Sequence, residues 1–342
     1  MTSSQPVTSG AEGLWRWRWL EFAKLASSKC YALKAAICRK LGRDGEAAEL
    51  LQKLQNFGAK ALRLPKDHCE LMYGRCGYLH ACLFALKFTT AKPAQFRSRM
   101  LDIVAQILEE GSGNRGIHSK AGLMYTWHNV CYLGASHGIC GVLMTLLQCK
   151  EVLGALTRDP REAAEALRAV HRSIDVLLGA TFPSGNLPSI LGSPNDRLVQ
   201  WCHGAPGLIP LLCSVIYTGA DDGRGGITYS GGGPEMHTLL RDCLASAGDV
   251  IWARGLLKNG TGLCHGTAGN GYALLGLYRA TGDERMLHRA EHFARWSMDH
   301  ISRFAEGPDA TYSLFEGLAG SVCFLLDVIQ ADSSLGFPGY DI

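Results

Sequence analysis

Five stretches of the chain have almost no polar face: GYLHACLFALKF from Gly77, GVLMTLLQCKEVL from Gly141, GLIPLLCSVIY from Gly207, GNGYALLGLYRA from Gly269 and GSVCFLLDVIQ from Gly320. Apolar on every side, they predict helices buried nearly all round. Between them run segments that are apolar only at helical spacing. Leu101, Val104 and Leu108 mark one stripe, Leu167, Val170, Ile174 and Leu177 a second, and Met286, Phe293 and Trp296 a third. Residues 23–40 and 44–62 predict a further helical pair. Strand alternation is scarce, so the chain reads as all-α.

The buried helices share an entry signal. Each opens on G-x-x-G, at Gly74/Gly77, Gly138/Gly141, Gly204/Gly207, Gly266/Gly269 and Gly317/Gly320. The first glycines are 64, 66, 62 and 51 residues apart. Five copies near one spacing define a repeat: an outer amphipathic helix, a loop, the glycines, an inner helix. Repeated hairpins of this kind close into an α/α toroid or stack into a solenoid. The toroid is the expected architecture, with the glycines letting inner helices crowd around a centre. Gly10 and Gly13 share the spacing, but their flanks do not match and they read as coincidence. Residues 218–235, with seven glycines and no helical period, read as a surface insertion. LWRWRWLEF, residues 14–22, reads as a helix burying some of its tryptophans, with weak peripheral membrane association as the lesser alternative.

Composition narrows the class. The chain has 342 residues, 47% apolar and 19% charged, enough to bury a sizeable core. A net charge of +3 without basic runs gives no case for nucleic acid. Thirteen cysteines might suggest disulfides, but the count is odd and several lie inside apolar helical runs. With no signal-peptide profile and no long apolar span, the expected location is cytoplasmic.

A toroid places the residue before each inner helix at one mouth. His137, Cys202, His203, Cys264 and His265 gather there, the last four in two C-H-G-x-x-G motifs. Thiolates and imidazole are zinc ligands, and a catalytic zinc keeps one position open beside three protein ligands. Cys202 and Cys264 supply two; His203 or His265 supplies the third. The plainer reading is two buried thiols with helix-capping histidines. His203 is also placed to give a proton near the metal, and His137 to act as an acid at its own helix entry. Arg75 reads either as a contact for a substrate carboxylate or phosphate or as a surface group. Glu316 is the one carboxylate before a repeat glycine, too few for a glycosidase pair.

The set ELMYGRCGYL, GASHGICGVL, WCHGAPG, GLCHGTAGNGY and SLFEGLAGS resembles the lanthionine synthetase C-like (LanC-like) family, its eukaryotic branch in particular, over residues 31–342. The resemblance implies an α/α toroid of seven repeats with zinc on Cys202, Cys264 and His265, and His203 near the metal but not on it. It implies His137 as the acid for addition of a thiol to dehydroalanine or dehydrobutyrine in a peptide or protein, with glutathione as co-substrate. Lys258 is then the candidate cation for glutathione, because Asn259 stands where relatives tend to carry Lys. The family's first repeat and most of its second lack a clear counterpart, so residues 1–30 read as a divergent N-terminal segment. Whether the chain is an enzyme is therefore left open. The alternative is a zinc-containing binding or scaffold protein without turnover.

Overall fold

The computed structural model describes residues 28–113, 122–149, 160–219, 234–258, 260–305, 312–334 and 336–341. LWRWRWLEF, Gly10, Gly13, His118, Asn259 and most of the glycine-rich 218–235 stretch lie outside them.

The regular secondary structure of the described residues is helical, apart from two isolated bridges, Trp127–Val130 and Tyr132–Ile190. Helix α1 is described over residues 28–40. It is followed by α2 (Asp44–Leu62), α3 (Arg75–Phe88), α4 (Pro93–Gly113), α5 (Ile139–Gln148) and α6 (Pro160–Gly179). The remainder are α7 (Ala205–Gly219), α8 (Pro234–Arg254), α9 (Thr267–Thr281), α10 (Glu284–Ala305) and α11 (Leu318–Ile329). Helices α3, α5, α7, α9 and α11 are the five apolar segments. Each packs on the next to form the inner layer, with even-numbered helices outside. This is the expected α/α toroid. The second and third apolar stripes face inward over most of their length: Val170, Ile174, Leu177, Met286 and Phe293 are buried, and Leu167 and Trp296 at their ends are half-buried. On α4 the buried line is instead Phe96, Met100, Ile103, Val104 and Ile107, leaving Leu101 and Leu108 half-buried. That helix packs on both α2 and α3, so its contact face is rotated from the simple stripe.

The glycines serve the expected crowding and also a tight turn within each repeat. A methyl group on the second glycine of any motif would come within 3 Å of the carbonyl oxygen six residues earlier: Leu71, Ala135, Trp201, Leu263 or Leu314. Each inner helix thus starts with its first turn folded tightly onto its own entry loop. Crowding between repeats falls on the same glycines, Gly207 against Ala135 and Gly320 against Leu263, and on two others. Gly134 lies against the Cys202 carbonyl, and Gly262 against the backbone of Phe315 and Glu316.

Exposed apolar side chains remain at Leu33 and Ile37 on α1, at Leu41 just after it, and at Val322, Leu326 and Ile329 on α11. At the centre, the last described residues fold back under the inner helices. Phe337 and Tyr340 are buried, and the Tyr340 hydroxyl donates to the carbonyls of Cys140 and Gly207.

Arg75 is neither a surface group nor a substrate contact. Only 4% exposed, it donates to the carbonyls of Pro65 and Leu64 and to Gln106, with Glu110 at 3.8 Å. It clamps the loop after α2 to α4. Burial pushes the Glu110 carboxyl up to about 7, while the Cys69 thiol and Arg75 pull it down. The folded value lies above the unfolded one, so this contribution is complete below about pH 4.5 and is lost as pH rises through about 7. Glu110→Gln is expected to remove that loss. In urea unfolding, the variant should gain on the order of 2 kcal/mol over wild type between pH 5 and pH 8. A gap independent of pH would show that Glu110 does not titrate in this range.

Candidate metal centre

The entry loops are stitched side by side. The Ala135 N–H donates to the Trp201 carbonyl, Cys202 N–H to the Cys264 carbonyl, and Cys264 N–H to the Phe315 carbonyl. These bonds join equivalent residues of successive repeats, so two cysteines 62 positions apart become neighbours. The donor atoms of Cys202, Cys264 and His265 all lie within 4.8 Å of one another. Around a tetrahedral zinc with Zn–S of about 2.3 Å, ligand atoms stand roughly 3.5–4 Å apart, so the cluster has the right scale. Cys202 is buried, and Cys264 and His265 are half-buried.

The electrostatics of the cluster follow from the contact of its members. The Cys264 thiol is pushed far up, first by its contact with the Cys202 sulfur and then by burial. The His265 ring is held up by its bond to Cys264, against burial, with Glu316 adding to the rise. With the Cys202 sulfur this close, the Cys264 thiol resists ionisation. A divalent cation between them reverses the preference, because a coordinated thiol is deprotonated outright.

The residues directly before the first glycines are Tyr73, His137, His203, His265 and Glu316, and they act on one another in pairs. The Tyr73 and His137 rings are 5.8 Å apart. Burial and then the charge of His137 hold His203 down. Glu316 acts on both His265 and Tyr73. His203 keeps a buried Nδ1 with no partner and packs on Tyr132 at 5.6 Å, outside the three-donor group. Below the cluster Trp201 stacks on Phe337 at 4.9 Å, so the C-terminal fold-back supports the Cys202 loop.

His137 has the most built surroundings. Its Nδ1 lies 2.8 Å from Glu70 Oε2, and the Trp127 indole is parallel to its ring at 3.9 Å and 6°. Glu70 is 2% exposed and also accepts the backbone N–H groups of Met72 and Tyr73. With its carboxylate fixed this way, His137 donates Nδ1–H and keeps Nε2 for exchange with a substrate. Lys258 is not brought into the cluster. It is exposed in the loop leading to Cys264 and makes no ion pair among the described residues.

The family profile described as lanthionine synthetase C-like protein matches residues 28–342. The chain belongs to the LanC-like family. It is 34% identical over 331 residues to the glutathione S-transferase LANCL1 of Danio rerio, covering 95% of this chain and 75% of that protein. It is 33% identical over 282 residues to the LanC-like protein GCL1 of Arabidopsis thaliana, covering 80% and 58%. Among solved structures, nisin cyclase matches with a TM-score of 0.63 at 15% identity, over 91% of this chain and 76% of its own. At that identity the likeness shows the fold.

Glu70, Tyr73 and Trp127 are the site residues that motif reading passes over. Glu70 had a signal. Four places before the first glycine the repeats carry Glu70, Gly134, Gln200, Gly262 and Ser313, only one of them acidic. Trp127 had none, because it lies in a loop between helices with no repeat equivalent.

Proposed function

We propose that this LanC-like chain adds the thiol of glutathione to dehydroalanine or dehydrobutyrine residues of peptides or proteins, with zinc on Cys202, Cys264 and His265. The observation that carries this is the three-donor cluster, in a chain whose His137, at the same point of its own repeat, has one nitrogen committed to a buried carboxylate. Zinc bound there supplies the charge that keeps an incoming thiol ionised near neutral pH.

The chain's own residues do the rest. The attacking sulfur forms a bond to the β-carbon, and the electrons of the double bond move onto the amide carbonyl as an enolate. His137 delivers the Nε2 proton to the α-carbon, while Glu70 holds the Nδ1 side throughout. The ring then regains a proton from the next thiol, so the cycle needs no oxidant or reductant. His203 stands close enough to His137 to shape the field at the mouth. Lys258, exposed in the loop leading to Cys264, is the cation proposed for a glutathione carboxylate. Glutathione as the thiol is supported by the name of the Danio rerio relative.

Zinc-replete protein, glutathione and a dehydroalanine peptide should give the thioether, seen by mass spectrometry. A folded, zinc-replete protein that binds the peptide and forms no adduct would leave the binding-protein alternative in its place.

A further inference from the structure

Glu70 anchors one nitrogen of His137 but leaves the ring free to swing about that bond, so a second element must set its plane. The Trp127 indole is the closest ring to it. It is carried on a two-residue hairpin turn in which Trp127 and Val130 exchange backbone hydrogen bonds. The central residues, His128 and Asn129, have φ of 51° and 62°, the only non-glycine residues at positive φ among those described. Turns of this type favour Asn-Gly because both centres are left-handed; His and Asn are among the few side chains that tolerate this region, and here the turn is made with no glycine at all. The Trp127 indole N–H is also buried with no partner. A left-handed turn made without glycine and a buried, unpartnered indole N–H therefore coincide on one short hairpin, the one that lays its ring on the proposed acid. Such clustering is the mark of a functional constraint.

We propose that the 127–130 turn is a positioning device, and Trp127 a positioning residue that holds the His137 ring in the plane from which Nε2 reaches the substrate α-carbon. This rests on the thiol-addition reading for its consequence, but not for its geometry.

The test uses the zinc-replete full chain and its Trp127→Leu and Trp127→Phe variants. The His137 ring proton resonances, identified by their loss in His137→Gln, should lie upfield in wild type from the indole ring current. They should move to ordinary histidine positions in Trp127→Leu and only partly in Trp127→Phe, with zinc content unchanged in both. With glutathione and N-acetyl-dehydroalanine methyl ester, kcat should fall on the order of tenfold to a hundredfold in Trp127→Leu, KM for glutathione should hold, and Trp127→Phe should recover part of the rate. Unchanged resonances in Trp127→Leu, zinc loss in both variants, or moved resonances with a wild-type kcat would each overturn the proposal. A wild type that forms no thioether defeats the functional reading instead, and the resonances alone then decide whether Trp127 fixes the ring.

Discussion

His137→Gln is expected to lower thiol addition by about 10²–10⁴-fold, the usual worth of a positioned proton donor, and to leave bound zinc unchanged. The two halves separate because His137 is not among the three clustered donors. It is tied instead to Glu70 on the loop before α3. Gln retains a hydrogen-bond donor for Glu70, so the buried carboxylate is not left without a partner, and the lost rate reports the missing proton rather than a collapsed loop. Paired assays of thioether formation and metal content decide it. A wild-type rate in the variant would remove His137 as the acid, and loss of zinc would place it in the metal centre.

Gly269→Ala is expected to prevent stable folding, or to cost more than about 4 kcal/mol where any folded protein survives. The added methyl would sit on the backbone carbonyl of Leu263, which cannot rotate away as a side chain can. Leu263 directly precedes Cys264, so any relief of that clash displaces a metal donor. Gly276, seven residues on in the same helix, is the control, because a methyl there meets nothing within 4 Å. Gly276→Ala should be stabilising by about 0.5–1 kcal/mol, since alanine has less chain entropy to lose in a helix. Thermal unfolding and zinc content of the two variants read out the contrast. Equal stability would mean that the second glycine of the motif is a matter of helix propensity alone.

The parts of this protein legible in its sequence are those that repeat. Alternating buried and amphipathic helices and the entry glycines recur five times, and recurrence turned a weak G-x-x-G into an architecture and located His137, Cys202 and Cys264 at one end of it. Choosing His265 over His203 needed the family resemblance, because both follow a cysteine and precede a glycine; in the structure His265 joins the sulfurs and His203 does not. What stayed hidden depends on contacts unique to one place in the chain. Trp127 reaches His137 through an irregular turn, and Phe337 and Tyr340 brace Trp201 from the far end of the sequence. Arg75 was misread for a related reason. Its place beside a repeat glycine suggests the mouth, but its side chain turns back to the carbonyls of Leu64 and Pro65.

The measurement closest to the central claim is metal content by elemental analysis of wild type and the single alanine variants of Cys202, Cys264, His265 and His203. A single zinc per chain in wild type and in His203→Ala, lost from the other three, is the predicted result. A folded wild type without zinc, or zinc retained in Cys264→Ala, would contradict it.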